Sequence, residues 1–147
     1  MFGEVFIAVE NQTVTRGIIP IENSLFGSVH INYDHLRNYH VKITGEAKLR
    51  IRHYLMAKPG AHLDGIKRVL SHPQALGQCQ VFLREKLGWS KVVPTYDTAG
   101  AAKLVAAENS LSNAAIGPAR AALEYGLQVL AKDLQSHALN YLSLIHI

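Results

Sequence analysis

One junction constrains this chain more than any other segment. The apolar run over residues 66–70 stops at Ser71, and a helix-forming stretch begins at once with His72-Pro73-Gln74-Ala75-Leu76. Ser71 has the chemistry of an N-cap, and Gln74 three residues later completes a Ser-x-x-Gln capping box. Pro73 falls in the first turn, where its missing N–H leaves no bond unmade. Ala75, Leu76, Cys79, Phe82, Leu83 and Leu87 then recur at helical spacing as one apolar stripe. Ser71, Gln74 and Gln78 stand at i, i+3 and i+7 and share another face. A strand passing directly into a helix N-terminus, with hydroxyl and amide groups beside it, is a natural place for an anion. On spacing alone, the plain alternative is a capped amphipathic helix whose glutamines face water.

Similar alternation runs along the chain. Phe2, Val5, Phe6 and Val9 predict an opening helix, followed by a polar loop. Gly17-Ile18-Ile19-Pro20-Ile21 has the unbroken apolar character of a buried parallel strand, with Pro20 at its end or edge. Gly27-Ser28 opens a helix carrying Val29, Tyr33 and Leu36. Leu49, Ile51, His53 and Leu55 alternate with Lys48, Arg50, Arg52 and Tyr54, which predicts one half-buried strand with a basic outer face. Residues 91–96 read as a strand, Asp97 or Thr98 as the cap of an alanine-rich helix, and residues 114–116 as a further strand. A helix over residues 118–125 ends at the C′ glycine Gly126, and residues 127–130 return to strand.

Strands alternating with helices imply an α/β fold with a largely parallel sheet. Ligands of such sheets bind at the carboxyl ends of strands, against helix N-termini. Three polar clusters take that topological place: Glu22-Asn23-Ser24, Ser71-His72-Pro73-Gln74 and Asp97-Thr98-Ala99. Composition narrows the ligand. The net charge of +4 favours anions mildly, but Lys and Arg are dispersed and form no basic block, so no nucleic acid is expected as partner. No apolar run approaches the ~20 residues of a membrane span, and no secretory signal is legible at the N-terminus. The single cysteine, Cys79, fits a reducing, cytoplasmic setting and lies on an apolar stripe. None of the eight histidines shows a metal-ligand spacing such as His-x3-His, so no metal site is expected.

At these clusters the sequence resembles prephenate dehydratase, an enzyme family of phenylalanine biosynthesis. The matching segments run in family order: Gly17-Ile18-Ile19-Pro20-Ile21-Glu22-Asn23-Ser24 with Gly27-Ser28, Tyr33-Asp34-His35-Leu36, and Gly45-Glu46 with Leu49-Arg50-Ile51-Arg52-His53. Ser71-His72-Pro73-Gln74-Ala75-Leu76 with Gln78-Cys79, Thr98-Ala99-Gly100-Ala101-Ala102 and Tyr125-Gly126-Leu127-Gln128-Val129-Leu130 complete the set. The resemblance implies a bilobed α/β architecture like that of type-II periplasmic binding proteins. Residues 1–38 would be a partial first lobe, rejoined by residues 139–147, and residues 39–138 a complete second lobe. It implies conversion of prephenate to phenylpyruvate with loss of carbon dioxide and water, without a cofactor, in a cytoplasmic enzyme that dimerises in its full-length form. Asn23, Ser71 and Gln78 would be catalytic. Ser24, Gly27, Ser28, His72, Gln74, Thr98 and Ala99 would bind substrate, His72 as an orienting group.

Two departures qualify that expectation. The glycine-rich strand, Thr-Phe-Ser segment and helix with which the family begins have no counterpart before Met1, which predicts unpartnered apolar surface on Phe6, Ile18 and Ile19. The family's Asn-x-Thr-Arg-Phe segment is replaced by Asn140-Tyr141-Leu142-Ser143-Leu144, so Leu142 stands where the resemblance places a hydroxyl donor. The chain is therefore expected to be an incomplete, weakly active or inactive fragment. The competing expectation is a non-catalytic dicarboxylate-binding module on the same scaffold.

Overall fold

The structure, a computed structural model, describes residues 2–88 and 90–147. It divides into two compact units: the first reaches Ile51 and takes back Leu139–Ile147, and the second is Arg52–Ala138. The first unit contains α1 (Phe2–Glu10), β1 (Ile18–Asn23), β2 (Gly27–Ser28), α2 (His30–Asn38) and β3 (Gly45–Arg50). The second contains β4 (Tyr54–Ala57), a 3-10 turn (Leu63–Gly65), β5 (Arg68–Ser71), α3 (Pro73–Gln78), α4 (Gln80–Lys86) and β6 (Lys91–Pro94). It continues with α5 (Thr98–Ala107), β7 (Asn113–Gly117), α6 (Ala119–Glu124) and β8 (Gln128–Lys132), and β9 (Tyr141–His146) returns the chain to the first unit.

The first unit's sheet has the order β2-β1-β9-β3, and every pairing in it is antiparallel. The apolar run over residues 17–21 is therefore not a parallel strand. It pairs with the tail of the chain, and Pro20 lies within β1, where the register shifts between Pro20 and Glu22. A bulge is one of the few sheet positions that tolerates a residue without an N–H. On the other side, the fully buried Asn32 donates its amide to the Pro20 carbonyl at 2.8 Å.

Phe6, Ile19, Ile145 and Ile147 form the buried core of this unit. The expected apolar exposure is consequently confined to Ile18, 57% exposed, because β9 and the terminal isoleucine cover Phe6 and Ile19. Gly17 is tied to Ile147 by two backbone hydrogen bonds, and a Cβ there would sit 2.5 Å from Val5 Cγ1. Val5 is β-branched and cannot swing aside cheaply. Gly17→Ala is expected to destabilise the protein by about 1–3 kcal/mol, as overpacked sites do. A urea midpoint unchanged from that of the unaltered chain would contradict this.

In the second unit the sheet order is β6-β5-β7-β4-β8. β5 runs parallel to β6 and β7, whereas β4 is antiparallel to both β7 and β8. Successive residues alternate between its two faces. Leu55, Val69, Ala114 and Ile116 pack with Leu76, Cys79 and Leu83 from α3 and α4. Met56, Leu70 and Ala115 pack with Ala101, Ala102 and Val105 of α5 and Ala121 and Ala122 of α6. Gly126, at φ +64°, ends α6, where Leu127 N–H bonds the Ala122 carbonyl at 2.9 Å; only glycine takes that backbone region freely.

Four further expectations shift. The period-two run over residues 48–55 is two strands rather than one: β3 pairs with β9, β4 pairs with β7 and β8, and residues 51–53 lie outside both ladders. The unit boundary accordingly falls after Ile51, not after residue 38. Ser71 is the last residue of β5, and His72 is the N-cap of α3, its Nδ1 accepting from Gln74 N–H at 3.2 Å. The helix predicted to run on to Leu87 breaks at Cys79, giving α3 and α4.

Candidate functional site

The mixed topology of the second unit sets the carboxyl ends of β5, β6, β7 and β8 along one sheet edge, beside the start of β4. Tyr54 is the register partner of both Gly117 and Lys132 at that edge. Ser71 is fully buried there; its hydroxyl donates to the Ile116 carbonyl at 2.6 Å, and its carbonyl accepts from Thr95 N–H at 2.8 Å. The Ser71 hydroxyl thus spends its proton on the sheet and retains oxygen lone pairs.

After β6, Asp97 caps α5, its carboxylate accepting from Gly100 N–H at 2.5 Å. Thr98 follows as the first residue of α5. A Cβ at Gly117 would lie 3.2 Å from the Thr98 carbonyl, so the glycine lets β7 and the start of α5 approach closely. The Thr98 hydroxyl has no hydrogen-bond partner among the described residues. Ala99 lines an open hollow of about 360 Å³ with Pro118, Arg120, Ala121, Glu124 and Tyr125. Ser71, Thr98 and Ala99 are therefore gathered at strand ends and a helix start, as the sequence predicted for such an α/β sheet.

Gln78 sits at the end of α3, and its amide oxygen is 2.5 Å from His53 Nε2. His53, just ahead of β4, is only 6% exposed, and its Nδ1 is buried without a hydrogen-bond partner. Residues 134–136 hold both groups. Leu134 N–H donates to the His53 carbonyl at 3.0 Å, and His53 N–H donates to Gln135 Oε1 at 2.9 Å. Ser136 donates to the Gln78 carbonyl from its N–H and its hydroxyl, at 2.9 and 3.2 Å. Gln74, exposed, makes none of these contacts; it and Gln78 lie four apart on α3, whereas Ser71 belongs to β5 and not to that helix face.

Burial pushes His53 below the ordinary histidine value of 6.5, opposed only in part by its bond to Gln78. Between the two values the unfolded chain binds a proton that the folded ring refuses. The His53 contribution to stability is thus complete above pH 6.5 and is lost as pH falls from there through the lower folded value. Urea midpoints are expected to drop between pH 7.5 and 5, and to drop less in His53→Phe; equal losses in both proteins would contradict the assignment. Cys79 is buried, and desolvation pushes its thiol up to about 12, which leaves it inert as a nucleophile at neutral pH.

In the first unit, Asn23 ends β1 and organises the turn into β2. Its Oδ1 accepts from the N–H groups of Leu25 and Phe26 at 2.9 and 3.1 Å, and its Nδ2 donates to Asn140 Oδ1 at 3.3 Å. The Ser24 hydroxyl donates to the Leu139 carbonyl and accepts from Tyr141 N–H, both at 2.9 Å. Both side chains fasten the segment entering β9, and the second N–H of the Asn23 amide has no hydrogen-bond partner among the described residues. Gly27, at φ +80°, and Ser28 are exposed on β2. Leu142 is the register partner of Asn23 across β1 and β9 and of Leu49 across β3 and β9.

His53 and Asn140 were not among the sequence-predicted site residues. The inward phase of His53 in the period-two pattern was the available signal for the first; the second carried none beyond its place in the resemblance.

Known proteins resemble this chain in both sequence and structure. The sequence profile described as prephenate dehydratase matches residues 1–142. An Arabidopsis thaliana protein, arogenate dehydratase/prephenate dehydratase 2, chloroplastic, is 49% identical over 134 residues, covering 91% of this chain and 35% of its own length. A prephenate dehydratase from Arthrobacter aurescens, solved with L-Phe, superposes with a TM-score of 0.85 at 31% identity, over 98% of this chain and 48% of that one. A protein described as GqqA, a novel type of quorum quenching acylase, gives a TM-score of 0.83 at 28% identity, over 99% of this chain and 52% of its own. The chain spans about a third of the length of the relatives it matches in sequence.

Proposed function

This chain belongs to the prephenate dehydratase family, whose profile its residues 1–142 match, and on that premise we propose that it binds prephenate or its amino-acid counterpart arogenate. The reaction breaks the bond between the ring and its carboxylate, and that electron pair completes the aromatic ring. The bond to the ring hydroxyl breaks with its pair, and the departing oxygen takes a proton to become water. Prephenate gives phenylpyruvate, arogenate gives phenylalanine, and both belong to phenylalanine biosynthesis. The protein's work is to hold two carboxylates and to place donors where negative charge develops on the leaving oxygen.

The observation that carries this reading is the gathering of Ser71, Thr98 and the start of α5 at one sheet edge, with Gln78 held at the end of α3. Gln78 and the Thr98 hydroxyl serve as donors to the carboxylates and the departing oxygen, while the fully buried Ser71 supports the strand end behind them through its bond to the Ile116 carbonyl. Within the first unit taken by itself, the family resemblance makes Asn23 a binding group, its amide already donating one N–H to Asn140. Ser24 fastens the segment entering β9 within the first unit, and His72 caps α3 within the second.

A second reading has its own support. Leu142, partnered with Asn23, has no hydroxyl to offer a leaving group, which favours a dicarboxylate-binding module with little or no turnover. Incubation of the purified chain with prephenate and, separately, arogenate distinguishes the two. We expect binding of at least one acid and slow product formation. Phenylpyruvate or phenylalanine formed at a rate of about 10 s⁻¹, the middle of the enzyme range, would refute the low-turnover reading.

A further inference from the structure

Among the described residues the Gln78 side chain makes one hydrogen bond, and its partner decides what the amide can do. The two ends of a glutamine amide are nearly equal in shape but opposite in chemistry, an acceptor oxygen and a donor NH2. Here the oxygen lies 2.5 Å from His53 Nε2, an approach that is attractive only when that nitrogen carries the ring proton. His53 Nδ1 is then the bare nitrogen, buried with no partner. A proton on Nδ1 instead would bury an N–H with no acceptor, and protonating both nitrogens would add a buried charge.

We propose that His53 is a positioning residue: its Nε2–H holds the Gln78 oxygen and so turns the Gln78 NH2 outward as the donor offered to substrate. The inference rests on the substrate reading given above. An anionic acid and a departing hydroxyl oxygen both call for donors, and the same amide turned over would present its oxygen and repel them. Rigidity comes from residues 134–136, which tie the His53 backbone through Leu134 and Gln135 and the Gln78 carbonyl through Ser136. Backbone ties on both partners leave the side-chain bond little slack, which is what a supporting contact needs in order to fix a group that touches ligand. The low proton affinity of the buried ring keeps it neutral, with one N–H, at physiological pH.

The test uses the intact chain labelled with nitrogen-15 and phenylpyruvate as the probe. In the ligand-free spectrum His53 is expected to show a protonated Nε2 and a bare Nδ1, and the Gln78 NH2 pair is expected to move on titration. His53→Phe is expected to weaken phenylpyruvate binding about tenfold, the value of one lost hydrogen bond. His53→Gln, which restores a donor, is expected to recover most of that loss, whereas a role in packing alone would not distinguish the variants this way. A proton on Nδ1 overturns the proposal, as does a folded His53→Phe protein that binds as tightly as the unaltered chain. Binding by the unaltered chain with an unmoved Gln78 pair overturns the positioning role alone. Absence of any binding by the unaltered chain overturns the substrate reading, and the role of His53 toward substrate with it.

Discussion

Leu142→Thr is expected to raise the rate of product formation from prephenate or arogenate by about 10²–10³, the usual value of one well-placed donor to developing negative charge. Position 142 lies directly across the β1–β9 ladder from Asn23 and across the β3–β9 ladder from Leu49. Directly opposed residues of antiparallel strands project to the same face of the sheet. A threonine hydroxyl would therefore stand beside the Asn23 amide, whose remaining N–H is the one free donor of that side chain. Ser143 cannot substitute, because neighbouring strand residues face opposite sides. Threonine is β-branched and suits a strand, so the exchange should fold. The comparison is a timed assay of both proteins at equal concentration, with circular dichroism confirming that each is folded. A Leu142→Thr protein no faster than the unaltered chain would remove position 142 from the account.

Phe6→Ala is expected to cost about 3–5 kcal/mol, within the range for deleting a buried aromatic side chain. The first unit has a small core, and Phe6 is its largest member, fully buried against Ile19, Ile145 and Ile147. Its ring also lies 5.1 Å from the His35 ring and 5.6 Å, stacked, from that of Tyr39. Removing it opens a hole bounded by α1, α2 and β9 that β-branched isoleucines cannot collapse to fill. Urea denaturation followed by circular dichroism measures the loss. A change below about 1 kcal/mol would mean that this core does not carry the stability that its burial implies.

Much of the fold was legible locally. The helical spacing of Phe2, Val5, Phe6 and Val9 gave α1, Asp97 marked the start of α5, and Gly126 marked the end of α6, because caps and periodicity act over a few residues. What failed was decided by partners far along the chain. Nothing near residues 18–21 announces that β9, more than a hundred residues later, pairs with them antiparallel. The continuous period of residues 48–55 hid a change of sheet, because β3 and β4 keep the same alternation on different partners.

The site divides in the same way. Ser71, Gln78 and Thr98 stood out through a strand-to-helix junction and through the family resemblance. The capping role that spacing suggests for Ser71 belongs to His72, one residue on, since the Ser71 hydroxyl bonds Ile116 across the sheet, not the helix it precedes. Ser24 lay in a legible polar cluster, yet its bonds run to Leu139 and Tyr141 and identify it as a fastening of the returning segment. His53 was legible as an inward-facing residue, while its bond to Gln78 depends on how β4 and α3 pack.

The most direct measurement of the central claim is a calorimetric titration of prephenate into the unaltered chain and into Gln78→Leu at pH 7.5. The account predicts a dissociation constant of about 1 mM or tighter, in the usual range for an enzyme substrate, weakened at least about tenfold in the variant by loss of a charge-assisted hydrogen bond. No heat of binding to the folded, unaltered chain, or the same affinity in both proteins, would contradict it.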